Sequence, residues 1–155
     1  MVDRSHERAN EESRAEIAAL VAGLTQQQLR VDLGEGWTVL SHLAHLGFWD
    51  RWQGERWRLL LAGSWTADDA SVLDAEDLAN EALAPYWAAI ETSNVPALAL
   101  AAAVGVDQLI AQAQDSTVAQ LHASPNEFLL HRHRHRREHL SWIKRDLERA
   151  ARTPQ

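Results

Sequence analysis

Cysteine is absent from this chain of 155 residues, and with it go disulfides, thiolate metal ligands and a cysteine nucleophile. Imidazole and carboxylate remain as the strong ligand types, so any bound metal is held by nitrogen and oxygen. Positive charge is in deficit as well: fifteen Lys and Arg stand against twenty-two Asp and Glu, a formal net charge of -7. That balance repels a phosphate backbone and argues against a nucleic-acid partner. Val, Ile, Thr, Tyr and Phe are sparse beside abundant Ala and Leu, which favours helix over strand. Charge interrupts every apolar segment before it is long enough for a bilayer, and Met1-Val2-Asp3-Arg4-Ser5-His6-Glu7-Arg8 is charged where a signal peptide needs apolar residues. These features predict a cytoplasmic chain with no membrane partner. The length suits one domain over residues 1–155.

What the chain has in excess is histidine and tryptophan: eight His and seven Trp beside two Phe and one Tyr. Four of the histidines lie within residues 131–139.

Periodicity predicts four main helices. Ala9, Ser13, Ile17, Leu20 and Leu24 recur at spacings of three and four, with Gly23 as the stop. Thr25 and Gln28 have capping-box spacing, which predicts a short turn carrying Leu29 to the core before the break at residues 32–36. Thr38 is the N-cap of a second helix over residues 39–61, halted by Ala62-Gly63-Ser64. Residues 63–94 form a long connection with an amphipathic piece at residues 74–90 that carries Leu78, Leu83, Tyr86 and Trp87. Asn94-Val95-Pro96 opens a third helix through Val106, Leu109 and Ile110, fading at Asp115-Ser116. Ser124-Pro125-Asn126-Glu127 predicts the start of a fourth that runs unbroken to Ala150. The expectation is an all-α four-helix bundle in which the long crossover lets helices two and three run parallel.

At about 100° per residue, His42, His45, Trp49, Trp52 and Arg56 fall within about 80° of one another on helix two. On helix four Phe128, His131, His135, His139, Trp142 and Asp146 do the same. His135 and His139 are separated by one turn, about 6 Å, so both can reach one cation. An imidazole from the facing helix would make a three-nitrogen site with open positions for water or substrate. Zinc, nickel, iron(II) and manganese suit such ligands. Trp49, Trp52 and Trp142 then wall a pocket, Arg56 or Arg132 receives a substrate carboxylate, and Asp50 or Glu138 accepts from a ligand imidazole. His133 points away to solvent. The plainer alternatives are core tryptophans and a solvated Arg-His face over residues 131–137.

Gly36-Trp37-Thr38-Val39-Leu40-Ser41-His42-Leu43-Ala44-His45-Leu46, with Trp49-Asp50 after it, resembles the helix-two signature of the DinB-like superfamily. His135-Arg136-Arg137-Glu138-His139-Leu140-Ser141-Trp142-Ile143 is similar to the helix-four motif of the same superfamily, and Leu24-Thr25-Gln26-Gln27-Gln28-Leu29 to its lead-in. The resemblance implies an up-down-down-up bundle and a divalent metal on His45, His135 and His139, and it selects that pair over His131 with His135. Characterised members include mycothiol-dependent maleylpyruvate isomerases and bacillithiol transferases. By resemblance, then, the expected function is a thiol-dependent transferase or isomerase, or a metal-assisted hydrolase, acting on a small electrophilic molecule. A low-molecular-weight thiol is the expected co-substrate. His42 and His131 are extra histidines beside the triad, auxiliary to it. The alternative is a binding or interaction module without metal, and an Ala- and Leu-rich helical surface is compatible with a homodimer.

Overall fold

The computed structural model describes residues 2–64 and 94–152 of the chain; the amphipathic piece expected at residues 74–90 lies outside them. Helix α1 (Ser5–Gly23) starts where Asp3 Oδ1 accepts from the Ser5 amide at 2.8 Å. Gly23 is its last residue, and Leu24 leaves in extended conformation. Thr25 and Gln28 form the expected capping box around the single turn α2 (Gln26–Leu29), and Leu29 is buried. The break that follows is a small antiparallel hairpin, β1 (Asp32–Gly34) and β2 (Trp37–Thr38), which the sequence reading does not contain. Its turn needs positive φ at three successive residues, Gly34, Glu35 and Gly36, and two of the three are glycine.

Thr38 caps α3 (Val39–Leu61), its Oγ1 accepting from Ser41 N at 3.1 Å while Ser41 Oγ accepts from Thr38 N at 2.7 Å. Helix α4 (Val95–Ala111) packs along α3, with Gly47 against Ala99 and Gly54 against Leu109. Both contacts advance in the same direction, so α3 and α4 run parallel. At Gly47 a Cβ would lie 2.9 Å from Ala99 Cα, so the backbones approach as closely as a missing side chain permits.

Where the third helix was expected to fade, a separate α5 (Asp115–His122) forms, anchored by buried Val118 and Leu121. It has no side-chain cap and only two core positions, too little periodicity to register in sequence. The last helix does not start at Pro125: residues Pro125–Leu129 form a 3-10 turn, and α6 (Arg132–Arg152) begins after Leu130 and His131. The cause is Asn10 of α1, which donates to the Leu130 carbonyl at 2.7 Å and accepts from the His133 amide at 2.9 Å. A cap supplied by another helix replaces the local one. The described residues thus hold six α-helices rather than four.

Asn10 meets His133, Ser13 meets Arg136 and Glu16 meets Lys144, so α1 and α6 also run parallel. Against α3 the order reverses, with His42 at His139, Asp50 at Arg132 and Trp57 at Leu129. Apolar packing forms separate clusters: Trp57, Val106, Ile110, Val118 and Leu121 at one end, and Leu29, Val39, Leu43, Val95 and Ile143 at the other. No single helix among the described residues is long and apolar enough to cross a membrane; α4 and α5 pass that test only jointly and are bent by 105° at their break.

Candidate metal centre

Beside a third, smaller apolar cluster of Ile17, Ala103 and Leu140, the bundle buries a set of charged and polar side chains. Asp50, 1% exposed, accepts from Arg132 Nε at 2.9 Å on one oxygen and from Arg136 Nε at 2.8 Å on the other. Arg136 is fully buried and grips Asp107 of α4 with both terminal nitrogens, at 3.1 and 2.9 Å. Its remaining donor capacity goes to the carbonyls of Asn10 and Ala103 and to Ser13 Oγ. Burial lifts the Asp107 carboxyl above its ordinary value against the pull of Arg136. Four helices are tied by this network, which fixes α6 against α3 next to the histidines.

One turn away, His45 of α3 and His135 and His139 of α6 converge, each offering a ring nitrogen within 4.8 Å of the others. His45 Nε2 lies 3.3 Å from His135 Nε2, and the ring centroids are 4.6 Å apart for His45 and His139 and 4.7 Å for His135 and His139. His139 Nδ1 is 2.8 Å from His42 Nδ1, which leaves His139 Nε2 for the cluster. His42 thus takes the part that a carboxylate was expected to play. It is the hydrogen-bond partner that orients a cluster imidazole. Burial, reinforced by neighbouring imidazoles and by Arg132, holds the cluster neutral: His45 is pushed down to about 4, and His135 and His139 lower still. Neutral rings present lone pairs, the form in which imidazole binds a cation. The residues fit a divalent metal in donor type, protonation and convergence. One contact must change on binding: Arg132 Nη2 lies 3.3 Å from His135 Nδ1, a geometry in which Nδ1 accepts and Nε2 carries the proton. Coordination through Nε2 would place that proton on Nδ1, which then no longer accepts from Arg132 and leaves the guanidinium to Asp50.

The histidines floor a cleft of about 690 Å³, walled among the described residues by Leu33, Glu35, Trp37, Trp142, Arg145 and Asp146. Of the side chains expected to meet substrate, only Trp142 lines it, with its ring 4.8 Å from His139. Trp49 is buried behind His45, centroids 6.2 Å apart. Trp52 is 40% exposed and meets Trp49 in a T-shaped contact and Phe48 in a tilted one. Arg56 is buried beside Gln53, its guanidinium 6.0 Å from the Phe128 ring, and Arg132 is committed to Asp50. Trp37 and Arg145 have no place in the sequence-derived site: Trp37 arrives with the hairpin, and Arg145 through its pairing with Asp146 at 2.8 Å. Asp146 shares the histidine face by periodicity, the signal that finds it. His131 is not in this cluster; it joins His122 and Glu127 in a second group of possible ligands. His133 does not point to solvent but packs on α1, its Nδ1 3.1 Å from Asn10 Oδ1. No protein-family model, no curated protein and no solved structure matches the chain.

Proposed function

We propose that the chain is a divalent-metal-dependent enzyme of DinB-like type, acting on a small electrophilic molecule with a low-molecular-weight thiol as co-substrate. The observation that carries the reading is the convergence of three neutral imidazoles at the floor of a cleft. The parallel pairs α1 with α6 and α3 with α4 support the up-down-down-up bundle that the motif resemblance implies. A cation held by His45, His135 and His139 would supply Lewis acidity, lowering the pKa of a thiol or water at its open positions. The chain's own part is to orient and exclude. His42 fixes the His139 ring, Trp37 and Trp142 wall the cleft against bulk water, and Arg145 at the rim offers a charge to an anionic substrate group.

Metal analysis of untagged protein tests this: His45→Ala should contain one equivalent of divalent ion per chain fewer than the wild type, and equal content overturns the reading. Screening thiols with electrophiles then identifies the reaction. A metal-free binding module is favoured by one observation, the direct contacts His45–His135 and His42–His139, which satisfy ring nitrogens without an ion. Unchanged melting in chelator and binding of small aromatic compounds would decide for it.

A further inference from the structure

At the N-terminal end of α6 a second group of imidazoles gathers around a carboxylate, sharing no residue with the first. His6 comes from α1, His122 from the end of α5, Glu127 from the 3-10 turn and His131 from the segment before α6. The His6 ring meets those of His122 and His131 in T-shaped contacts with centroids 5.8 and 5.9 Å apart, and the latter two are tilted at 6.0 Å. His122 Nε2 lies 3.0 Å from the Asp3 carbonyl, which can only accept, so this nitrogen carries a proton. In the neutral ring Nδ1 is then a bare lone pair, and it faces Glu127 Oε1 at 2.9 Å. His131 Nε2 approaches the same oxygen to 3.4 Å without hydrogen-bond geometry. His122 Nδ1 and Glu127 Oε1, two acceptors at 2.9 Å, repel unless something positive lies between them. A proton on His122 relieves that contact and does nothing for the other two rings. It leaves both ring nitrogens of His131 and both of His6 buried without a hydrogen-bond partner, although His6 is only 1% exposed. Leaving buried polar atoms unpaired is costly, and an unmade bond of this kind calls for a ligand.

We propose that this group is a second divalent-cation site, with His122 Nδ1, Glu127 Oε1 and a ring nitrogen of His131 as ligands and His6 packed against both imidazoles from α1. The three ligand groups have atoms within 4.8 Å of one another. Ligands about 2.0–2.1 Å from a tetrahedral zinc lie about 3.4 Å apart, the separation of His131 Nε2 and Glu127 Oε1, while His122 Nδ1 at 2.9 Å would move out by about half an ångström. The nitrogen and carboxylate donors suit zinc, cobalt(II) or nickel, and the Asp3 carbonyl holds the His122 ring in the tautomer that coordination through Nδ1 needs. An ion there clamps the start of α1, α5 and the 3-10 turn to the head of α6, the end of the bundle where the local cap is replaced by Asn10.

Cobalt(II) titration followed by its visible absorption, with the first cluster removed by His45→Ala and His139→Ala, isolates this site. One equivalent should remain in that background and disappear on adding His122→Ala or Glu127→Gln. No binding in the background, or binding that survives both further changes, overturns the proposal. Because the background variant must fold for this to be read, zinc is also titrated into unaltered protein while the imidazole ¹⁵N resonances are followed. His122 Nδ1 should move to the range of a coordinated nitrogen, and a resonance that stays put at excess zinc overturns the site. If the first cluster holds no metal, wild type binds one equivalent that His45→Ala leaves intact, so the two readings fail separately.

Discussion

The carboxylate of Asp50 holds two guanidinium groups, one through each oxygen, in a place from which water is excluded. Removing it leaves Arg132 and Arg136 charged and buried, with Asp107 the one remaining carboxylate for Arg136. Asp50→Ala should therefore lose about 3–5 kcal/mol of stability, as measured by urea unfolding, well above the cost of an exposed ion pair such as Arg152–Glu148. His42 has a different part, because it touches His139 and not the point where the cluster nitrogens converge. His42→Phe should keep the metal stoichiometry of the first cluster and weaken its affinity about 10–100-fold, read by competition with a chromophoric chelator. An unchanged affinity would mean that packing alone orients His139. None of the Asp50 network is legible in sequence. The sequence puts Arg132 on a substrate carboxylate, or the whole Arg-His run over residues 131–137 on a solvated face, yet Arg132 and Arg136 turn inward because two carboxylates from other helices wait there.

Among the elements, α3 and α4 show how a helix pair depends on one missing atom. Gly47→Ala should cost about 1–3 kcal/mol in chemical denaturation, since its Cβ would press on the Ala99 backbone, which cannot swing aside as a side chain can. Gly105 of α4 has open space around its would-be Cβ, and Gly105→Ala should stabilise by about 0.5–1 kcal/mol through helix propensity and a stiffer unfolded chain. Opposite signs at two helical glycines would separate contact from propensity. Legibility in sequence follows the reach of the interaction. The capping box at Thr25 and the N-cap at Thr38 act within three residues and are visible, and the faces carrying His45, His135 and His139 repeat with the helical period. The start of α6 is invisible because its cap, Asn10, is on another helix. The hairpin before α3 is missed because strands of two and three residues give no alternation to detect, and with it Trp37 is missed as a wall of the cleft.

For the whole molecule the histidines act together. Burial as the first cause lowers seven of the eight below their ordinary value, with His6, His42, His45 and His133 down to about 4. An unfolded chain takes up these protons near 6.5, whereas the fold refuses them until about 4. Between those values the unfolded state binds more protons, so unfolding becomes easier as the pH falls. His122 works in the other sense. Hydrogen bonds to Glu127 and the Asp3 carbonyl raise it, so its contribution is present at low pH and fades as the pH rises. One partly exposed group does not offset seven, and the net slope keeps the sign of the buried set. Metal-free protein should therefore melt at progressively lower temperature from pH 6.5 to pH 4, and scanning calorimetry across that window checks it. Zinc should raise the melting temperature at pH 7 and go on doing so as the pH falls to about 4, below which protons begin to compete for the ring nitrogens of the first cluster. A melting temperature that is flat with pH and indifferent to zinc would mean that the imidazoles are hydrated and protonated like surface groups. The polar middle of the bundle would then be held by the Asp50–Arg136–Asp107 network alone.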